Sequence, residues 1–182
     1  QELIVSVLFA DVKGFTSLVG YTYGKSIDAA STNRPINPQN SLNVGAERAR
    51  SDYDVQHRFT GSFTYDIPTL EGLPRVLGEG WAVNGILTLQ TGRPVDVYYG
   101  DDVSGFYEYN DRPNVIGDIS RIEFRPGQPI DPDVLDTIFE MPAFGTFGSA
   151  GRNILQEPGY QNFDFSVTKR TSGKGCRRRR PQ

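Results

Sequence analysis

The sequence predicts an all-β fold of antiparallel, up-and-down strands joined by long loops. Apolar and polar residues alternate over several stretches of the chain, and helical periodicity is confined to one short segment. Gly and Pro are abundant, at 20 and 12 of 182 residues, and aromatic residues make up 12%. Such a composition suits many strands joined by turns better than helices. At this length, one domain is expected.

Alternation is clearest in four stretches. Successive residues of a strand point to opposite faces, so each stretch has one apolar and one polar face. In chain order, the apolar faces are formed by Val19, Tyr21 and Tyr23; Phe59, Gly61, Phe63, Tyr65 and Ile67; Trp81, Val83, Leu87 and Leu89; and Phe163, Phe165 and Val167. Ile86 interrupts one polar face. After Pro94, the residues Val95, Val97 and Tyr99 predict a continuation of the third strand.

The connections between these strands differ in length. Residues 28–54 and 100–159 are long and polar, whereas residues 68–80 are shorter. Long loops at one end and short turns at the other are typical of outer-membrane barrels. Within the last loop, residues 131–139 predict one short helix with Asp131 as N-cap and Pro132 at its first position. The pattern therefore indicates antiparallel up-and-down strands of an incomplete outer-membrane β-barrel with long loops, and a soluble β-sandwich remains the alternative.

Charge, cysteine content and hydropathy limit the classes of function. The formal net charge of −3 indicates neither nucleic acid nor an acidic polymer as a partner. The single cysteine, Cys176, excludes an internal disulfide framework. A run of about 18 apolar residues, which a transmembrane helix needs, does not occur. The chain starts at Gln1 without a signal segment, so we expect a trimmed chain or a fragment.

Five segments resemble a known family: "YTYGKSIDAAS", "ERARSDYDVQHRFTGSFTYDIP", "GWAVNGILTLQTGRPVDV", "NDRPNVIG" and "GTFGSAGRNILQEPGYQNFDFSVTKR". In this order they look like consecutive landmarks of TonB-dependent receptors with a carboxypeptidase-regulatory-like N-terminal domain (Oar-like). The resemblance covers residues of about 20–171. It implies the C-terminal part of a large barrel in the cell outer membrane, whose parent protein takes up a substrate with energy from an inner-membrane partner.

The same resemblance sets expectations for partners. They are outer-membrane lipid, the rest of the barrel, and the energy-coupling protein TonB, which would be reached through the N-terminal part that has no counterpart here. Because barrels need at least about eight strands to close, four or five strands should not form a pore alone. Residues 172–182, "SGKGCRRRRPQ", depart from the family and predict a basic, disordered tail or an out-of-frame end.

The N-terminal phrase resembles a second family. "VSVLFADVKGFTSL" is similar to the first strand of class III adenylate and guanylate cyclases, over residues 3–18. The resemblance implies a divalent metal ion, Mg²⁺ or Mn²⁺, bound by the Asp11 carboxylate and the Val12 carbonyl at the end of a buried strand. The second metal-binding Asp and the base-selecting residues have no counterparts. We therefore expect residues 1–19 to be a cyclase-like strand without activity, joined to the receptor segment in a chimeric reading frame.

Other candidate sites have plainer interpretations. His57 is the only histidine, and without a nucleophile motif we expect it to be structural. The acidic residues Asp101, Asp102, Glu108 and Asp111 do not have EF-hand spacing and predict a solvated loop rather than a Ca²⁺ site. An aromatic girdle at the membrane interface, or a sandwich core, could be formed by Trp81, Tyr98, Tyr99, Tyr107 and Tyr109.

Taken together, we expect a non-enzymatic barrel segment that binds no cofactor. A truncated nucleotide cyclase, acting on ATP or GTP with Asp11 as metal ligand, and a soluble β-sandwich binding module are the alternatives.

Overall fold

A computed structural model describes residues 2–31, 38–107, 109–125 and 127–171, with the backbone alone at residues 9–11. These residues divide into two compact units. The first unit holds the described parts of Gln1–Ile4, Thr22–Arg58 and Leu89–Tyr160. The second holds those of Val5–Tyr21, Phe59–Thr88 and Gln161–Gln182. None of the helices in the described part of the chain has the length and apolarity that crossing a membrane requires.

Five long strands dominate the secondary structure: β1 (Glu2–Val12), β2 (Phe15–Gly24), β5 (His57–Asp66), β6 (Trp81–Gln90) and β11 (Tyr160–Lys169). Two-residue strands lie in the loops, namely β3 (Ile27–Asp28), β4 (Ala49–Arg50), β7 (Pro94–Val95), β8 (Asn114–Val115), β9 (Phe139–Glu140) and β10 (Leu155–Gln156). The helices are α1 (Arg75–Gly78) and α2 (Pro132–Asp136), and two 3-10 turns cover Val44–Glu47 and Ile119–Arg121.

The long strands form one sheet in the order β1-β2-β5-β6-β11, so chain neighbours pair. Hydrogen bonds at both ends show that the strands run antiparallel. The Asp66 N–H donates to the Gly14 carbonyl at 2.8 Å, whereas the Gly24 N–H donates to the Gln56 carbonyl at 3.0 Å. The start of β2 thus meets the end of β5. The sheet does not close, because in the described residues β1 and β11 each pair with a single long strand.

The same register continues across the rest of the sheet. The Ile67 N–H donates to the Trp81 carbonyl at 2.8 Å, which joins the end of β5 to the start of β6. The Arg170 N–H donates to the Gly80 carbonyl at 2.8 Å, which joins the end of β11 to the start of β6. These bonds fix which residues are opposite one another. Odd-numbered residues of β2, β5, β6 and β11 therefore share one face, and even-numbered residues share the other.

The four alternating strands predicted from the sequence are confirmed as β2, β5, β6 and β11. The short helix is also confirmed: α2 starts at Pro132, and the Asp131 carboxylate accepts a hydrogen bond from the Asp133 N–H at 3.0 Å. The predicted strand through Val97 and Tyr99 is wrong. Strand β7 ends at Val95, because the Val97 N–H donates a hydrogen bond to the Asp96 side chain at 3.1 Å. This local bond competes with the hydrogen bonds that pair strands in a sheet.

The N-terminal strand β1 forms a hairpin with β2. Lys13 and Gly14 have φ angles of +53° and +80°, the left-handed pair that a tight two-residue hairpin turn requires. Strand β2 runs without a break through residues 19 and 20, where the sequence predicted a domain boundary. The buried strand before Asp11 that the cyclase resemblance implies is not found, since Ile4 and Leu8 are 63% and 64% exposed. The division into residues 1–19 and 20–171 stays a prediction, and the predicted tail at 172–182 lies outside the described residues.

The even-numbered face of the second unit is polar and internally hydrogen-bonded. The Thr64 hydroxyl donates to the Asn84 side-chain carbonyl at 2.9 Å. The Asn84 amide in β6 donates in turn to the hydroxyls of Ser166 and Thr168 in β11, each at 3.4 Å. This row joins β5, β6 and β11 through side chains, so the polar face is a connected surface rather than a set of separate groups.

The odd-numbered face of the second unit is aromatic. The rings of Phe15 and Phe63 stack with centroids 6.2 Å apart. Gly85 lies beneath the rings of Phe63 and Phe163, where a Cβ atom would collide with the Phe63 ring and crowd that of Phe163. Yet Phe163 and Phe165 are 57% and 59% exposed, so they do not converge on an enclosed core. A continuous apolar face left uncovered on one side of a sheet marks a surface that contacts lipid or another protein.

Candidate functional site

The first unit is built around buried charge. Its buried polar side chains are Ser31, Gln39, Glu47, Ser51, Asp54, Ser104, Asp111, Arg112, Arg152 and Asn153, whereas its buried apolar side chains are Val103, Ile138, Phe139, Ala150 and Leu155. Burying a charge is costly unless it is paired and hydrogen-bonded. Each buried ion must therefore be matched by an opposite charge or by hydrogen bonds. We call the residues around Arg152, Arg112 and Asp54 the buried charge network.

Arg152 is the most enclosed cation of this network, with 1% of its side chain exposed. Its guanidinium forms an ion pair with the Asp28 carboxylate and donates to the Asp28 carbonyl at 3.0 Å. The Nε atom donates to the Glu47 carbonyl at 3.0 Å, and Nη1 donates to the Ser31 hydroxyl at 3.3 Å. Arg152, in the long loop of residues 100–159, thereby binds two segments of the loop of residues 28–54.

Arg112 forms the second part of the buried charge network. Its Nη2 atom donates to the Glu47 carboxylate, and its Nε atom lies 3.4 Å from the Asp96 carboxylate. The Arg112 N–H donates to the Gln39 side-chain carbonyl at 2.9 Å, and the Gln39 amide donates to the Gly148 carbonyl at 3.0 Å. Because Gly148 lies against the Arg112 carbonyl, a Cβ atom there would collide with the backbone.

Asp54 forms the third part. Its carboxylate accepts from Arg50 Nε at 2.7 Å and from the Ser26 N–H at 2.8 Å. The Asn153 amide donates to the Arg50 carbonyl and to the Asp52 carboxylate, both at 2.7 Å. The backbone of Asn153 has a φ of +57°, a conformation that asparagine tolerates better than most residues.

The landmark segments of the sequence meet in this network. Asp28 comes from "SIDAAS", Glu47 and Asp54 from "ERARSDYDV", Arg112 from "NDRPNV", and Arg152 from "GRNIL". Sequence reasoning did not find the network, because the paired residues lie 65 and 124 positions apart. The signal that could have found it was the presence of Arg, Asn and Asp within those segments of the polar loops.

The carboxylates of the network respond differently to burial. Burial opposes ionisation of Asp28, but hydrogen bonds from Ser51, Arg152 and Ser31 outweigh it and lower the pKa of Asp28. Burial is the largest influence on Asp96 and raises its pKa, although the Arg112 charge opposes the shift. Asp28 is thus held as an anion, whereas the ionised form of Asp96 is disfavoured.

We predict that Asp28 stabilises the first unit at neutral pH and loses this effect in acid. A carboxylate with a lowered pKa contributes stability above its ordinary pKa of 3.8 and loses it as the pH falls through the folded value. Asp28→Asn should lower the free energy of unfolding by about 1.5–3 kcal/mol at pH 7. The difference from the wild type should shrink below pH 3.8. Urea unfolding at a series of pH values measures it, with exposed Asp101→Asn as the control; a constant difference across pH would contradict the assignment.

A pocket of about 560 Å³ lies beside the third part of the network. It is lined by Glu2, Thr22, Gly24, Lys25, Ser26, Tyr53, Asp54, Val55, Arg58, Gln90 and Arg93. Thr22, Arg58 and Gln90 belong to the even-numbered, polar face of their strands. The volume is that of a pocket for a small molecule, which typically measures about 300–1,000 Å³. We call it the polar-face pocket.

The two residues of the predicted metal site lie at the end of β1. Asp11 lies in β1, and its side chain is outside the described residues. Val12, the last residue of β1, has a side chain that is 57% exposed. No group of three or more His, Cys, Asp or Glu side chains suited to a metal ion occurs in the described residues. The cyclase-type assignment of Asp11 and Val12 stays a prediction.

His57 and the acidic loop residues make local contacts. The His57 ring packs against Tyr23 with centroids 5.2 Å apart, and the His57 N–H donates to the Thr91 hydroxyl at 3.1 Å. Asp102 accepts from the Tyr107 N–H at 2.9 Å, and Asp111 accepts from the Ser104 N–H at 2.6 Å. Glu108 is outside the described residues. The contacts of His57 fit a structural role. Asp102 and Asp111 accept hydrogen bonds from backbone N–H groups of the loop.

The aromatic residues proposed for a girdle are largely accessible. Tyr98, Tyr107 and Tyr109 are 53%, 80% and 61% exposed. The Trp81 indole N–H donates to the Leu77 carbonyl at 2.7 Å, and the Lys169 ammonium lies 4.4 Å from the centre of the Trp81 ring. An indole held at a strand end with its polar edge satisfied suits an interface between an apolar layer and water.

Comparison with known proteins identifies the family. No curated protein matches the chain, and neither does any solved structure. A sequence model of the family described as "Outer membrane beta barrel domain" matches residues 8–178, which is most of the chain. The predicted fold class, antiparallel strands of an incomplete outer-membrane barrel, is thereby confirmed. The chain, with its open two-faced sheet and long loops, belongs to the outer membrane β-barrel domain family.

Proposed function

We propose that this chain forms part of the wall and the loop assembly of a TonB-dependent receptor that takes up a substrate across the outer membrane. The family match supports an outer-membrane location. In this proposal the aromatic face of the sheet contacts lipid, the polar face lines the lumen, and further strands complete the barrel. Edge strands with unpaired backbone groups are not tolerated in lipid, so β1 and β11 would pair with other strands.

The polar-face pocket is the observation that carries the uptake proposal. It combines lumen-facing residues of the long strands with loop residues held by the buried charge network, such as Ser26 and Asp54. Ligand sites of small molecules are concave and mostly preformed. A pocket whose loop side is fixed by a buried ion pair meets that requirement without further folding. A structural barrel piece without a binding role would not need it.

The test is solute depletion from a complex medium by the native organism. Cells lacking the gene for this chain, and cells lacking the energy-coupling protein, should leave the same solute in the medium, and restoring the wild-type gene should restore its uptake. The proposal fails if the gene deletion depletes every solute as the wild type does. It also fails if uptake through the restored gene continues without the energy-coupling protein.

The chain is also proposed to be non-enzymatic. Cyclic nucleotide chemistry needs two divalent ions, and several carboxylate and phosphate oxygens usually hold them. Incubation of the full chain with ATP or GTP and Mn²⁺ should therefore form no cyclic nucleotide. Product formation that disappears in Asp11→Ala would overturn this and support the cyclase alternative.

A further inference from the structure

Two arginines of the polar-face pocket have no acidic partner in the described part of the chain. Arg58 and Arg93 are both exposed, and no carboxylate of the described residues lies within ion-pair distance of either guanidinium. This differs from Arg50, Arg112 and Arg152, each of which is paired with an acid. Arginines that line a concave site without a protein partner are positioned to pair with a ligand.

The backbone holds both arginines in place. Arg58 follows His57 in β5, and the Thr91 N–H donates to the His57 carbonyl at 3.0 Å, which places Arg58 opposite Gln90 on the polar face. The Arg93 carbonyl accepts from the Glu157 N–H at 2.9 Å. The next residues, Pro94–Val95, pair with Leu155–Gln156. Both side chains therefore extend from hydrogen-bonded backbone rather than from an open loop.

The acids of the pocket do not cancel this positive charge. Asp54 is 2% exposed and already accepts from Arg50 and from the Ser26 N–H. Glu2 is exposed and is the first residue of β1, the strand at the edge of the sheet. Since the Arg50 charge neutralises Asp54, the cations that a ligand meets without an acidic partner in the described residues are Arg58 and Arg93, against the single carboxylate of Glu2.

We propose that the polar-face pocket binds a small anionic solute through its carboxylate or phosphate groups, with Arg58 and Arg93 as the contacting cations. The guanidinium group presents planar pairs of N–H donors that match both groups bidentately. Thr22, Ser26 and Gln90 add neutral hydrogen-bonding groups around them. Because Thr22, Arg58 and Gln90 lie on the polar face, the ligand is a dissolved solute rather than a lipid headgroup.

This inference rests on the proposed function in one respect, since it names the class of substrate that the receptor would take up. Binding can be measured without transport. The full chain in detergent micelles, with its sheet content checked by circular dichroism, is titrated by calorimetry with citrate, with inorganic phosphate and with uncharged sorbitol. Binding of citrate, phosphate or both, without binding of sorbitol, is the expected result, and the pattern distinguishes a carboxylate from a phosphate ligand.

Substitutions then assign the site. Arg58→Gln and Arg93→Gln should each weaken binding at least about tenfold, because each removes a charge-assisted hydrogen bond to the ligand. Arg58→Lys and Arg93→Lys keep the charge but lose the planar fork, so their loss should be smaller. Arg48→Gln is the matched control: Arg48 is exposed in the same unit but does not line the pocket. It should bind as the wild type does.

The outcomes separate this inference from the proposed function. If neither anion binds, or if the Arg58→Gln, Arg93→Gln double variant binds as tightly as Arg48→Gln, the pocket is not an anion site, whatever the uptake assay shows. If both arginines are needed for binding but the gene deletion leaves solute uptake unchanged, the anion site stands and the uptake function fails.

Discussion

Replacing Arg152 by alanine is expected to lower the free energy of unfolding of the first unit by about 3–5 kcal/mol. The side chain is 1% exposed and is paired with the Asp28 carboxylate, and it also donates to the Asp28 and Glu47 carbonyls. Its removal leaves the carboxylate without its cation and two backbone acceptors without their donor. The cost of an unpaired buried ion exceeds the ordinary worth of an ion pair.

Hydrogen exchange followed by mass spectrometry measures this effect where it occurs. In Arg152→Ala, amides of the segments that contain Asp28, Glu47 and Arg152 should exchange faster together, because one side chain connects all three. Arg125→Ala is the control, since Arg125 and Glu123 form an exposed pair at 2.9 Å with 68% and 69% of their side chains accessible. Such a pair is worth about 0–1 kcal/mol. Equal effects of the two variants would contradict the role assigned to Arg152.

Replacing Phe165 by arginine is expected to prevent stable insertion of the sheet into a bilayer. Phe165 is in the middle of β11, on the aromatic face and opposite Gly85 in the register. An arginine on the lipid face near the bilayer midplane costs about 2–4 kcal/mol. Ser166→Arg is the matched control, because Ser166 is the next residue of the same strand and belongs to the polar face with Asn84.

Co-flotation with phospholipid vesicles measures the difference, with the open edges β1 and β11 paired between copies of the chain in the bilayer. The wild type and Ser166→Arg should float with the vesicles, whereas most of the Phe165→Arg chain should stay in the dense fraction. If the two arginine variants float equally, the faces of β11 do not differ in their surroundings. If Ser166→Arg is the one excluded, the assignment of the faces is reversed.

The sheet could be predicted from the sequence because its signal is local. In β5 and β11, side chains repeat every two residues, and the register of the sheet preserves this repeat on each face. The same rule failed after Pro94, where the alternating residues Val95 and Val97 are not in one strand. There the Asp96 side chain accepts a hydrogen bond from the Val97 N–H, which a strand would use for pairing. The alternation of apolar and polar residues carries no information about such a bond.

The buried charge network could not be predicted because its signal is not local. Arg112 and Glu47 lie 65 residues apart, and Arg152 lies 124 residues from Asp28. Long polar loops ordinarily indicate solvated chain. In the first unit, however, charged and polar side chains make up much of the buried interior. Hydropathy alone therefore predicts these side chains to be exposed to solvent. Hydropathy likewise does not show that Arg58 and Arg93 line one pocket.

The surroundings of the N-terminal strand β1 differ from those that the short cyclase resemblance implies. In β1, apolar residues occupy both faces, and Ile4, Val5 and Leu8 are 63%, 49% and 64% exposed. A strand of this kind is typical of a sheet covered on both sides. The family match nevertheless starts at residue 8, inside this strand. The sequence pattern and the position of β1 at the edge of the sheet thus disagree, and the structure offers no physical reason for the apolar residues on its second face.

Spin labels on the two faces of β11 test the two-sided barrel wall most directly. With the single cysteine Cys176 replaced by serine, a nitroxide is attached to cysteines introduced one at a time at positions 162 to 168, and the chain is placed in lipid bilayers. At Phe163, Phe165 and Val167, collisions with oxygen dissolved in lipid should be frequent and those with a water-soluble nickel complex rare. Asn162, Ser166 and Thr168 should show the opposite. Uniform accessibility along the strand, or odd-numbered positions shielded from both reagents, would mean that the aromatic face is not a lipid-facing surface.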